Sequence, residues 1–215
     1  NTYLDVIEKD LAKNKGKGYI GHITGNHDIP RLAYRRTKEE LKCALTFLFT
    51  MPGVPFVYYG DEIGMDYIEG LKSKEGSYTR TGSRTPMQWD GTKNHGFSLS
   101  NTPYLPTDDR DGAPTVENEK DDPSSILNFV KGLISYHREN PALYAEADFE
   151  VKVAGYPVAY VRQSGDKKVF VAINPSSRSF EIEAPNAKKT VFIQNAVITG
   201  NTLKMDAASF AVIEF

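Results

Sequence analysis

Leu4, Ile7 and Leu11 recur at helical spacing, so residues 2–13 read as an amphipathic helix. The polar run KNKGKG stops it. YIGHIT then reads as a short buried strand, with Gly25 to Asp28 at its C-terminal end. Thr37 and Glu40 have capping-box spacing, and Leu41, Ala44, Leu45 and Leu48 follow on one helical face. MPGVP ends that helix, PFVYYG reads as a second apolar strand, and DEIGM follows it. This helix–strand–helix–strand order predicts an α/β region with parallel pairing. In such sheets reactive groups gather at the C-terminal ends of strands, where Asp28 and the Asp61–Glu62 pair fall.

Residues 66–122 have a different texture, rich in Gly, Ser, Thr, Asp and Pro and with little periodicity, and predict a long loop, either functional or disordered. A helix follows, with Ile126, Leu127, Val130, Leu133, Ile134 and His137 on one stripe and ENPAL at its end. From residue 146 onward the period falls to two. FEVKV, VAYVRQ, KVFVAIN, FEIEA, TVFIQ, VITG and FAVIEF read as short strands split by turn residues, which predicts a small antiparallel β-sandwich. The expected domains are residues 1–145 and 146–215.

Bulk properties narrow the function classes. Net charge is −2 with no basic block, so a nucleic-acid partner is not expected, since phosphate binding needs clustered Lys and Arg. Cys43 is the single cysteine, which rules out a disulfide framework within the chain and a cysteine-based zinc site, and suits a reducing compartment such as the cytoplasm. The most apolar run, CALTFLFTMPGVPFVYYG, is broken by Pro52, Gly53 and Pro55 and cannot form one membrane helix. The chain begins at Asn1 inside a helical pattern, so the start of the whole protein, and any localisation signal, is expected upstream.

The group Gly25-Asn26-His27-Asp28 suits two chemistries. A two-metal phosphoesterase would use it for ligands, but that site also needs an Asp-x-His upstream and Gly-x-His pieces downstream. The 24 residues before Gly25 hold no Asp-x-His, and His95 and His137 are not in Gly-x-His. A sugar-cleaving enzyme would use the carboxylate to stabilise an oxocarbenium-like transition state, with the imidazole and amide binding ring hydroxyls. The acidic run DDRDG lacks the spacing and final Glu of an EF-hand and reads as a solvated loop. No metal and no cofactor is expected.

Taken together, GNHDIPR, MPGVPFVYYGDEIGM, SRTPMQWD with Gly96-Phe97 behind it, and SSILNFVKGLISYHRENPAL occur in one order. That order resembles the last part of an α-amylase superfamily retaining α-glycosidase, most similar to the oligo-1,6-glucosidase, α-glucosidase and trehalose synthase group. The resemblance implies strands 7 and 8, with flanking helices, of a (β/α)8 TIM barrel, then the β domain. It implies that Asp28 stabilises the transition state, that His27 and Asn26 serve the sugar, and that Arg31 anchors the loop. Arg84 and Trp89 would border the leaving-sugar site, with Asp61 and Glu62 behind the pocket. Trp89 reads equally as a core aromatic, and Asp61 and Glu62 as structural groups. The implied substrate is an α-linked gluco-oligosaccharide and the implied partner the rest of the barrel. The nucleophile and acid/base motifs of the family are absent, so the chain reads as a fragment, inactive alone. A transglycosylase or isomerase of the same group, and a non-catalytic carbohydrate-binding relative, stay open.

Overall fold

The helical stripe near the N-terminus forms α1 (Tyr3–Asn14) in the computed structural model, which describes residues 2–74 and 80–215. Residues 75–79, inside the expected loop, lie outside the described residues. A capping box that the sequence reading overlooked starts α1: the Thr2 hydroxyl accepts from the Asp5 N–H, and the Asp5 carboxylate accepts from the Thr2 N–H. Thr37 and Glu40 make the same reciprocal pair ahead of α2 (Lys38–Thr50). Strands β1 (Gly21–Ile23) and β2 (Val54–Phe56) form a two-stranded sheet. The Val54 N–H donates to the Ile20 carbonyl at 2.8 Å and the Thr24 N–H to the Phe56 carbonyl at 3.0 Å, so both strands advance together, as in a parallel pair.

The chain divides into two compact units. The first comprises the stretch to His22, Lys42–Pro55 and Leu133–Phe215; the second comprises Ile23–Leu41 and Phe56–Gly132. Helix α3 (Val116–Lys120), inside the expected loop, belongs to the second unit, and α4 (Ile126–Glu139) follows it. The second unit is largely irregular, packed around Ile63, Met65 and Met87 with Val116 and Leu127.

The first unit holds the β region. Its strands are β3 (Asp148–Val153), β4 (Val158–Ser164), β5 (Lys167–Asn174), β6 (Phe180–Glu183), β7 (Lys189–Thr199) and β8 (Thr202–Glu214). The seven short strands expected from the sequence are therefore six, because TVFIQ and VITG join into β7. They form one antiparallel sheet in the order β3-β4-β5-β8-β6, with β7 on β8. β8 pairs with β5 over Ser209–Glu214 and with β6 over Thr202–Met205. Asn195 and Ala208, both at φ 47, sit at the register shift between these halves, so the sheet curls rather than splitting into two. Ala159, Phe170, Ala172, Leu203, Met205, Ala211 and Ile213 fill the curl. The other face is covered by the end of α2: the Tyr160 ring lies 6.4 Å from Phe47, and its hydroxyl is 2.6 Å from Thr50 Oγ1. Burial on both faces explains why KVFVAI is apolar without alternation.

Arg162 is completely buried on that face. Its guanidinium donates to the Thr50 carbonyl at 2.8 Å, the Tyr144 carbonyl at 2.7 Å and the Asp148 carbonyl at 3.4 Å. Helix α2 has no basic residue in its last turn. Arg162 thus supplies, from a strand, the cation that a helix C-terminus favours. Burial pulls its pKa down to about 10, so it stays charged at neutral pH. On the same side, His137 Nδ1 lies 2.8 Å from the Phe49 carbonyl, a packed and capping role for that histidine.

Candidate active site

The second unit carries the Asn-His-Asp group on the loop between Thr24 and Leu32. Asn26 closes a local turn: its Oδ1 accepts the Asp28 N–H at 2.7 Å, so the carboxamide shapes the backbone that presents Asp28. The Asp28 side chain is 47% exposed. Its Oδ1 accepts from Arg80 at 2.9 Å and from Arg84 at 3.1 Å, and its Oδ2 lies 3.3 Å from His27 Nε2. Arg84 also donates through Nε to the His27 carbonyl at 3.0 Å. Partial desolvation pushes the Asp28 pKa up, but the hydrogen bonds from Arg80 and Arg84 and the charges of His27 and Arg80 outweigh it, and the net shift is downward. Asp28 is therefore an anion at neutral pH.

Arg80 was missed by the sequence reading, which named Arg84 alone. Both flank the tight 3-10 turn Thr81–Ser83, and the four-residue spacing TRTGSR was the available signal. Gly82 makes that turn possible: a Cβ there would sit 2.2 Å from the Ile68 carbonyl oxygen, too close for any side chain. The Ser83 hydroxyl reaches back to the Ile29 carbonyl, tying the turn to the Asp28 loop.

Arg31, expected among the substrate-binding residues as an anchor, is 1% exposed. Its Nη1 donates to the Tyr59 carbonyl at 2.5 Å and stands 3.9 Å from Asp61 Oδ1. Its guanidinium carbon lies 4.7 Å from the Tyr59 ring centre and 5.2 Å from that of Tyr58. Its guanidinium thus lies inside the protein and not on the open surface beside Asp28, with Nε buried and without a hydrogen-bond partner among the described residues. Asp61 is fully buried at the head of the 3-10 turn Asp61–Ile63, and Glu62 is partly buried beside it. Burial pushes the Asp61 pKa up against the opposing pull of Thr24, Arg31 and the Leu32 N–H. Tyr58, next to Arg31, is pushed up to about 12, first by burial.

The Gln88–Trp89 segment is pinned by its backbone. Trp89 N–H donates to the His95 carbonyl at 2.8 Å, and Glu117 N–H to the Trp89 carbonyl at 2.9 Å. Gln88 is buried on Pro114, whereas the Trp89 indole is 50% exposed and available as a flat apolar surface. A polar cleft of about 520 Å³ lies beyond it, lined by Asn94, His95, Asp109, Arg110, Thr115 and Asn118 among others. In the acidic run, Arg110 bonds the Asp108 carboxylate at 2.6 Å and Asp66 at 3.2 Å, so an internal cation balances it. Among the described residues no group of three or more His, Cys, Asp or Glu side chains could hold a metal ion, and no helix is long and apolar enough to cross a membrane.

Residues 2–146 match the alpha-amylase family, described as alpha amylase, catalytic domain, and the chain belongs to that family. It is 34% identical over 176 residues to the amino acid transporter heavy chain SLC3A1 of Mus musculus, covering 80% of this chain and 26% of that protein. It is 30% identical over 214 residues to a glucan 1,6-alpha-glucosidase of Streptococcus pneumoniae, covering 83% of this chain and 39% of that protein. In fold it superposes on a trehalulose synthase, MUTB, in complex with Tris, with a TM-score of 0.84 at 21% identity over 100% of this chain and 47% of that one. The chain thus spans less than half the length of these relatives.

Proposed function

We propose that this chain is the C-terminal portion of an enzyme that cleaves α-glucosidic bonds in oligosaccharides by a retaining mechanism. In this reading residues 1–145 supply strands 7 and 8 of the (β/α)8 barrel with their helices, and residues 146–215 form the domain that follows. The observation that carries it is the Asp28 carboxylate: half-exposed, anionic, set at the end of β1 and flanked by His27. Retaining cleavage uses a nucleophile and a proton donor about 5 Å apart. Asp28 is neither of these; it stabilises the positive charge that develops on the sugar ring. Arg80 and Arg84 keep it ionised and oriented, His27 bonds the ring hydroxyls, Asn26 holds the turn, and the exposed Trp89 face borders the leaving sugar. The nucleophile and the acid/base belong to earlier barrel strands, so the 215-residue chain alone is inactive.

The similarity to glucan 1,6-alpha-glucosidase supports hydrolysis, and the same residues would serve a transglycosylase or isomerase, because the acceptor is chosen elsewhere. A non-catalytic relative is the second reading, favoured by the similarity to an amino acid transporter heavy chain. The deciding experiment is hydrolysis of a chromogenic α-glucoside by the whole protein that carries this chain. Asp28→Asn is expected to lower kcat by about 10²–10³-fold with the fold intact. Turnover unchanged by that substitution overturns the role given to Asp28, and none in the whole wild-type protein overturns the enzymatic reading.

A further inference from the structure

The loop that presents Asp28 leaves β1 at Thr24 and turns back into the protein at Leu32, where it meets a buried carboxylate. Asp61 Oδ1 accepts the Leu32 N–H at 3.4 Å and faces Arg31 Nη1 at 3.9 Å. On the other stem, the Thr24 hydroxyl accepts from the Tyr58 N–H at 2.9 Å, and Asp61 Oδ2 is buried without a hydrogen-bond partner among the described residues. Asp61 Oδ2 reaches into the mouth of the loop, where a Cβ on Gly25 would sit 3.6 Å from it. Arg31, held by Asp61, donates to the Tyr59 carbonyl at 2.5 Å and to the Thr85 carbonyl at 3.5 Å. Thr85 follows Arg84, which bonds Asp28. The same buried charge is therefore linked to the loop that carries Asp28 and to the segment that carries one of its arginines.

We infer that Asp61 is a positioning residue: by holding the Arg31–Leu32 end of the loop, and through Arg31 the Arg84 segment, it fixes where the Asp28 carboxylate stands. This rests on the sugar-cleaving role given to Asp28 above. A neutral side chain of equal size would keep the packing but would loosen Arg31, because a buried guanidinium needs a counter-charge. A displacement of about 1 Å at a reacting group costs on the order of 10²-fold in rate while leaving remote binding contacts intact.

The test compares Asp28→Asn, Asp61→Asn and Arg31→Lys in the whole enzyme, with kcat and KM measured separately on an α-glucoside. Amide exchange of residues 24–32 is followed in each. The expected result for Asp61→Asn is a kcat lower by about 10–100-fold with KM within about 3-fold, and faster exchange confined to the loop. Arg31→Lys, which keeps a counter-charge for Asp61 and loses the links to the Tyr59 and Thr85 carbonyls, is expected to lower kcat several-fold in the same pattern. If Asp61→Asn does not fold, Arg31→Lys decides alone: a kcat loss at constant KM supports the inference, and unchanged kcat overturns it. If Asp28→Asn is inactive while the other two folded variants keep kcat within about 2-fold, the positioning role is wrong and the function proposed for Asp28 stands. If Asp28→Asn is fully active, both fall.

Discussion

Two arginines, Arg31 and Arg162, are the largest fully buried side chains among the described residues, one in each compact unit, and they do opposite things. Arg162 sits on the covered face of a regular sheet and meets only backbone carbonyls, among them the end of α2. Its surroundings are rigid strands, so a cation at that point closes a helix. Arg31 sits among irregular segments, meets a buried carboxylate and lies against two tyrosine rings. Where no ladder of backbone bonds holds the chain, a buried charge pair takes over the work of fixing a loop. Burial alone therefore says little about an arginine's role; the partner and the regularity of the surrounding backbone decide it.

The comparison can be broken most forcefully at Arg31. Arg31→Met leaves Asp61 buried without its counter-charge, and urea denaturation is expected to show a loss of about 3–5 kcal/mol at neutral pH. The pH dependence carries the sign. The folded-state pKa of Asp61 is already raised by burial, and removal of Arg31 raises it further. Protonation then relieves the charge, so the deficit shrinks as pH falls toward the ordinary aspartate range near about 4 and returns as pH rises. A deficit that stays flat with pH would show that Asp61 is not the group responsible.

Arg162→Met sharpens the other side. Two short charge-assisted hydrogen bonds to carbonyls are lost, with an expected cost of about 3 kcal/mol and no comparable relief at low pH, because no carboxylate is left unpaired. Arg162→Lys should recover part of it through one carbonyl. A pH-dependent loss like that of Arg31→Met would collapse the distinction between the two sites.

The smallest effect is expected at Asp28. Its arginine partners share an open, hydrated site, and ion pairs of that kind contribute little to stability. Asp28→Asn should leave the urea midpoint unchanged while activity falls in the whole enzyme. A clear drop in the midpoint would make Asp28 a structural anchor like Asp61.

The site was legible in the sequence as far as its chemistry is local. Asn26, His27 and Asp28 are neighbours, and the turn that Asn26 closes spans two residues. Arg80 escaped notice because its meeting with Asp28 spans 52 residues and depends on a turn that only Gly82 permits. The capping boxes and the strands after residue 146 follow from patterns of three and two residues, which neighbouring atoms enforce. The joining of TVFIQ and VITG into β7 did not show, because the register shift at Asn195 is created by pairing with β8. By itself, then, the sequence determined the elements, the Asn-His-Asp loop and the family motifs, since each rests on short-range sterics and hydrogen bonds. Only the tertiary structure decided that Asp28 is held by two arginines, that Arg31 turns inward to Asp61, and that Arg162 ends a helix from a distant strand. Those are long-range pairings of charge with burial, and no local pattern along the chain encodes them.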